Sequence, residues 1–187
     1  EAVPEADRWP LQLAALLRAK GVRVATPTIV AQTGWTTDEL SAGIDAAKPT
    51  GTFDVVTVLI GVNNQYRGRS VDEFRIQLRA LLQRAVGFAG GRASRVIVVG
   101  IPDWGVTPFA AGRDRARIGA EIDAFNAVNR AEAEAIGGRY VDIAAIARRA
   151  RTTPTLIAHD GLHPSGAMYA EWARAIFPAA EAALARQ

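Results

Sequence analysis

Residues 53–60 and 95–100 constrain the fold more than any other part of this 187-residue chain. Both runs are almost wholly apolar or β-branched, without the in–out alternation of a strand that keeps one face in water. Such runs are read as strands buried on both faces, a condition met in parallel sheets covered by helices. Helical patterns surround them. Residues 10–20 carry Leu11, Leu13, Leu16 and Leu17 ahead of Gly21, a residue suited to ending a helix. Thr36, Thr37 and Asp38 are cap-type residues that open a helix reaching about Lys48, stopped by Pro49 and Gly51. Further helices are expected at 71–86, 114–136 and 165–186, with short strands at 22–25 and 139–143.

Strands alternating with helices imply an α/β fold: a three-layer sandwich with a central parallel sheet flanked by helices, flavodoxin-like in architecture. No linker, composition shift or repeat divides the chain, so residues 1–187 read as a single domain. Reactive loops in such sheets lie beyond the carboxyl ends of the strands. Gly34, Asn63 and Asp103 follow three of the expected strands, those at 22–25, 53–60 and 95–100.

Composition narrows the partners. Hydrophobic residues make up 49% and charged residues 22%, the balance of a globular domain. The apolar runs at 55–62 and 96–101 fall far short of the roughly 20 residues that span a bilayer, so no membrane-crossing helix is expected. The net charge of +3 is carried mainly by arginine, with Lys20 and Lys48 the only lysines. Those arginines alternate with acids, as in Arg113-Asp114-Arg115, which describes solvated helix faces and not a nucleic-acid surface. Arg148, Arg149 and Arg151 read as the cationic end of a short helix. Cysteine is absent, which removes disulfides, thiolate catalysis and cysteine-based zinc sites. The expected location is cytoplasmic.

The segment Asp160-Gly161-Leu162-His163-Pro164 holds a carboxylate and an imidazole three residues apart, where Gly161 and Pro164 oppose regular helix. Such a pair can handle protons, the acid fixing the tautomer of the ring and the ring taking a proton from a nucleophile. The competing reading has Asp160 capping the last helix and His163 simply packed. Both histidines of the chain, His159 and His163, fall in this loop. Histidines four apart bind zinc when a helix aligns them, but here no helix and no third ligand are indicated, and no metal is assigned. In Gly61-Val62-Asn63-Asn64, the Asn63 amide at a strand's end can donate to an oxyanion or can serve an ordinary turn. Gly34 lets backbone approach a ligand with its N–H inward, or is a turn glycine. Trp35, Trp104 and Phe109 lie on the same loops as pocket walls or as packing. Residues 87–94 contain three glycines but no lysine, a surface turn and not a phosphate cradle.

In combination, Gly34, Gly61-x-Asn63 and Asp160-x-x-His163, in that order on a strand–helix framework, resemble the SGNH (GDSL-type) hydrolase superfamily. The resemblance spans the chain. Arg8-Trp9-Pro10, Asn63-Asn64-Gln65-Tyr66, Ile101-Pro102-Asp103-Trp104-Gly105 and His163-Pro164-Ser165-Gly166 are similar to segments of bacterial members. It implies a serine ester hydrolase acting on short acyl esters without a cofactor. His163 would be the general base, Asp160 its orienting carboxylate, and Asn63 with the Gly34 amide two oxyanion donors. Asn64 departs from the more usual Asp. The Gly-Asp-Ser block of the superfamily has no counterpart among Ser41, Ser70, Ser94 and Ser165, and Ser165 reads as a helix N-cap. The resemblance therefore places the nucleophile and the first strand upstream of Glu1, with residues 1–187 alone expected to be inactive. The alternative is a non-catalytic flavodoxin-like module that binds a partner or carbohydrate.

Overall fold

The structure, a computed structural model, describes residues 2–185. The chain divides into two compact units. One comprises Val30–Ile101, Glu121–Asp142 and the chain from Ala179, and it holds the sheet. Strands β1 (Val56–Val58), β2 (Val96–Val99) and β3 (Arg139–Val141) lie in the order β1-β2-β3, all parallel. Val56 pairs with Val96, and Ile97 with Arg139. Parallel neighbours cannot be joined by a tight turn, so each connection passes through helix. Central β2 is buried at every position, as its unbroken apolar run requires. The expected strand at 53–60 shortens to β1, whose ladder reaches only as far as its β2 partners.

Helix α4 (Val71–Phe88) covers this sheet, and its sequence explains why. Ser70 caps it by accepting the Glu73 N–H, and Asp72 and Glu73 oppose the positive end of the helix dipole. Phe74, Leu78 and Leu82 repeat at four-residue spacing and are wholly buried, each burial stabilising by about 1.5–3 kcal/mol. Ile76 points away and is 69% exposed. Helix α5 (Arg115–Ala135) contributes Phe125, which packs 4.8 Å from the Phe74 ring, and Asn126, which bonds both the N–H and the carbonyl of Ile101. Buried Glu132 of α5 takes a two-pronged contact from Arg79 and a third bond from Arg75 of α4. The Arg79 hydrogen bonds outweigh burial and hold the Glu132 carboxyl below the usual carboxylate range. Helix α2 (Thr37–Ala47) packs on α4 and opens on a capping box between Thr36 and Glu39. Short helix α3 (Val62–Tyr66) follows β1.

The other unit comprises the chain up to Ile29, Pro102–Ala120 and Ile143–Pro178. Its interior is formed by Leu13 and Leu17 of α1 (Trp9–Ala19), by Trp104 and Ile143, and by Met168, Trp172 and Ile176 of α7 (Gly166–Leu184). Buried Asp103 accepts the Gly105 N–H at 2.9 Å and the Arg148 Nε at 2.9 Å, joining the turn after β2 to helix α6 (Ala144–Arg148). The cationic cluster does end a helix, and two of its members are paired: Arg148 with Asp103 and Arg149 with Glu171. One sequence expectation fails. Residues 22–25 form no strand, because Arg18 of α1 donates to the Val24 and Ala25 carbonyls at 2.8 and 2.9 Å. These carbonyls meet a side chain where a strand would meet a neighbouring backbone, and Gly34 does not follow a strand.

Candidate active site

The acid–imidazole loop is a miniature hairpin. Ile157 and Pro164 form an antiparallel bridge, with Ala158 N–H donating to the His163 carbonyl at 2.8 Å and Ser165 N–H to the Leu156 carbonyl at 2.9 Å. Asp160 sits at the tip and uses its two oxygens differently. Oδ1 accepts the N–H groups of Leu162 and His163 at 3.0 and 2.9 Å, and Oδ2 meets His163 Nδ1 at 2.6 Å. The carboxylate thus shapes the loop and holds the ring within it. Partial desolvation pushes the Asp160 carboxyl up, but the Leu162 N–H, the His163 ring and the His163 N–H outweigh it and bring it down to about 2. Asp160 is ionised at any ordinary pH, so Nδ1 of the ring carries the proton it shares and the lone pair of the neutral imidazole lies on Nε2. The capping alternative for Asp160 does not hold. Ser165 fills that role, accepting the Met168 N–H, while its own proton goes to the Thr155 carbonyl at 2.8 Å. His159 lies exposed beside this pair. Among the described residues, no three His, Cys, Asp or Glu side chains group as metal ligands.

Near the same loop, the Phe109 N–H donates to the Gly161 carbonyl at 3.0 Å. Phe109 is 40% exposed and meets the buried Trp104 ring edge-on at 6.0 Å. Arg113, which sequence reasoning missed, lies over both rings at 5.3 and 5.1 Å.

The amide donors belong to the sheet-bearing unit. Gly61 leaves β1 at φ 122°, and a Cβ there would stand 2.7 Å from the Phe74 ring, so only glycine makes this corner. Helix α3 starts at once and carries Asn63, whose Nδ2 donates to the Trp35 carbonyl at 3.0 Å. Asn64 is fully buried, accepting the Thr37 N–H at 3.1 Å and donating to its hydroxyl at 2.8 Å. Gly34 has φ 87°, and its carbonyl accepts Arg67 Nη2 at 2.7 Å. The other arm of Arg67 reaches Glu39 Oε1 at 3.2 Å. The Thr36 N–H, the Thr36 hydroxyl and Arg67 hold the Glu39 carboxyl below the usual range. The Trp35 ring lies against Gly43 of α2, where an added Cβ would come within 2.1 Å of it.

The structure therefore brings Asp160 to His163 in one unit, and Gly34, Trp35 and Asn63 together in the other. Sequence reasoning missed Arg67 and Glu39. Their signals were present in the helical i, i+4 spacing of Asn63 and Arg67 and in the Thr36-x-x-Glu39 capping pattern.

Similar chains have been solved. A lipase/acylhydrolase from Enterococcus faecalis is 19% identical, with 91% of this chain and 83% of that one covered at a TM-score of 0.69. A variant of an acetyl xylan esterase from Geobacillus stearothermophilus is 24% identical over 96% and 84%, with a TM-score of 0.68. A psychrotrophic esterase from Pseudoalteromonas sp. is 16% identical over 95% and 87%, with a TM-score of 0.65. At these identities the likeness is one of fold, and it establishes the α/β sandwich with a parallel sheet. No curated protein matches the chain. No helix among the described residues is long and apolar enough to cross a membrane. The family model of GDSL-like lipases and acylhydrolases matches residues 3–171, nearly the whole sequence, and the chain belongs to that family of ester-cleaving hydrolases.

Proposed function

We propose that this chain supplies the proton relay and the oxyanion donors of a serine esterase that cleaves short acyl esters. The observation that carries the reading is the Asp160–His163 contact, in which the carboxylate holds Nδ1 at 2.6 Å and directs the basic lone pair to Nε2. His163 Nε2 removes the proton of a serine hydroxyl as its oxygen attacks the ester carbonyl. Asp160 stabilises the imidazolium that forms. The Gly34 N–H and the Asn63 hydrogen not taken by Trp35 donate to the tetrahedral oxyanion. The imidazolium then protonates the departing alkoxide, and the acyl-enzyme is hydrolysed by water activated at the same nitrogen.

The four serines of the sequence are poor nucleophiles for this scheme. The Ser165 proton is committed to the Thr155 carbonyl, Ser70 caps α4, and Ser41 receives Arg84. Ser94 lies in a 3-10 turn before β2, its carbonyl bonded to Arg139. We place the attacking serine outside these 187 residues. Small acyl groups are favoured by the likeness to a protein described as an acetyl xylan esterase.

The test uses the polypeptide that carries its serine. His163→Ala should reduce p-nitrophenyl acetate turnover by about a thousandfold or more while the circular dichroism spectrum stays unchanged. A fluorophosphonate should label the parent protein. Hydrolysis that survives His163→Ala at the parent rate would overturn the assignment and leave a binding module.

A further inference from the structure

We propose that Arg67 is a positioning residue for the oxyanion donors: by anchoring the Gly34 carbonyl it secures the Gln32–Trp35 turn, and with it the preceding Thr33–Gly34 peptide, whose N–H is the proposed donor. The inference rests on the esterase reading given above and adds a residue to it. Its basis is how the loop before α2 is secured. Residues 22–36 contain no helix and no strand, and among the described residues the backbone bond that closes the turn at Gly34 runs from the Trp35 N–H to the Gln32 carbonyl, long at 3.3 Å. Gly34 at φ 87° has the widest conformational freedom of any residue type. The Gly34 N–H lies in the Thr33–Gly34 peptide and its carbonyl in the next one, so the N–H keeps one direction only while the turn as a whole is held.

Side chains from α3 and its C-cap supply what the backbone lacks. Arg67 holds the Gly34 carbonyl, Asn63 holds the Trp35 carbonyl, and Asn64 closes a two-bond clamp on Thr37. Three of the four residues from Gly34 to Thr37, the end of the loop and the first residue of α2, are thereby fixed from one short helix and its C-cap. Arg67 follows Asn63 by one helical turn, and its own N–H bonds the Asn63 carbonyl at 3.0 Å. The residue that carries one proposed donor is thus bonded directly to the residue that orients the other. Glu39 completes the arrangement. It takes the second arm of Arg67 and also caps α2 through Thr36, so the guanidinium is tied to a helix terminus as well as to the Gly34 carbonyl. A planar, two-armed cation suits this bridge, and a lysine ammonium cannot span both acceptors in the same geometry.

An oxyanion exists only as the tetrahedral species forms, so loosening one of its donors lowers kcat and spares KM. In the polypeptide carrying its serine, Arg67→Ala should cut kcat by about tenfold or more, less than the hundredfold or greater loss from removing a donor outright. KM and Tm should stay close to the parent values, and millimolar methylguanidinium should restore part of the lost rate. Arg67→Lys should recover little. The controls are Asn63→Ala and His163→Ala in the same assay. If those two are inactive while Arg67→Ala turns over normally, the positioning role is wrong and the esterase reading stands. If Arg67→Ala loses activity only together with a fall in Tm and a rise in KM, without rescue, Arg67 is structural and the proposal fails. Full activity in all three variants would remove the esterase reading, and this inference with it.

Discussion

Asp160 holds His163 at two points, through its backbone N–H at 2.9 Å and its ring Nδ1 at 2.6 Å. One carboxylate therefore fixes both the position of the residue and the tautomer of its ring. The arrangement is local, since the two residues stand three positions apart, but it is buttressed by the Ile157–Pro164 bridge and by Phe109 bonding the Gly161 carbonyl. Ring orientation and loop shape are consequently coupled, and they can be separated by choosing which oxygen to alter.

Asp160→Asn makes that separation. The amide oxygen can still accept the Leu162 and His163 N–H groups, so the loop should persist. The amide nitrogen then faces Nδ1 as a donor, which forces the opposite tautomer and moves the lone pair away from Nε2. In the polypeptide that carries its serine, turnover should fall roughly a thousand- to ten-thousandfold with little change in the far-ultraviolet spectrum. Asp160→Ala should lose the same activity and lower Tm further than Asp160→Asn does, because the Leu162 and His163 N–H groups then lose their acceptor. Steady-state kinetics beside thermal melts will distinguish the two variants.

The Asp160 carboxyl, drawn from 3.8 to about 2 by the fold, links stability to acid. A depressed carboxyl favours the folded state at pH values above its unfolded value, and that contribution drains away as pH falls from near 4 to near 2. The Tm of Asp160→Asn should therefore lie below the parent at pH 7, with the gap closing as the solution approaches pH 2. A carboxyl carbon titration by NMR should give a midpoint near 2. A midpoint near 4 would show that the three hydrogen bonds do not form in solution.

Which of these features could be read from the residues depends on how far apart the partners lie. Strand β2 was legible because all four of its side chains are buried, leaving a run with no polar interruption. Asp160 and His163 were legible as a pair because they stand three positions apart and Gly161 and Pro164 exclude a helix. Residues 22–25 misled because a four-residue alternation says nothing about a pairing partner, and the Arg18 guanidinium takes the carbonyls instead. Arg67 and Gly34 are 33 positions apart, and no local pattern announces that contact. Two of the glycines with close neighbours, Gly61 and Gly43, differ in the same way. Gly61 belongs to a recognisable Gly-x-Asn corner, but Gly43 matters only because the Trp35 ring folds back onto α2.

Gly43→Ala sets two effects against each other. Inside a helix, alanine is favoured over glycine by about 0.8–1 kcal/mol. Against this, its Cβ would stand 2.1 Å from the Trp35 ring, and overpacking costs about 1–3 kcal/mol. The ring must move, and the Trp35 carbonyl that receives Asn63 moves with its residue. A small net loss of stability, a red-shifted tryptophan emission and a reduced kcat should appear together. Unchanged emission would mean that the indole does not rest on this glycine.

Glu132 offers a test of what holds α4 to α5. Its carboxylate is buried, whereas Arg75 and Arg79 reach it from solvent, their side chains 40% and 58% exposed. The costs of breaking this cluster are therefore unequal. Removing the acid returns two cations to water, where each is readily hydrated. Removing both arginines leaves a charge in the interior without compensation, the arrangement that destabilises most. Glu132→Met, which fills the space with apolar atoms, should lower Tm only slightly. Arg75→Ala with Arg79→Ala should lower it substantially more, and acid should narrow the difference by protonating Glu132, whose carboxyl is held low only while the arginines are present. Equal Tm values for the two variants would show that the contact is peripheral to stability, with α4 and α5 joined chiefly by the Phe74–Phe125 packing.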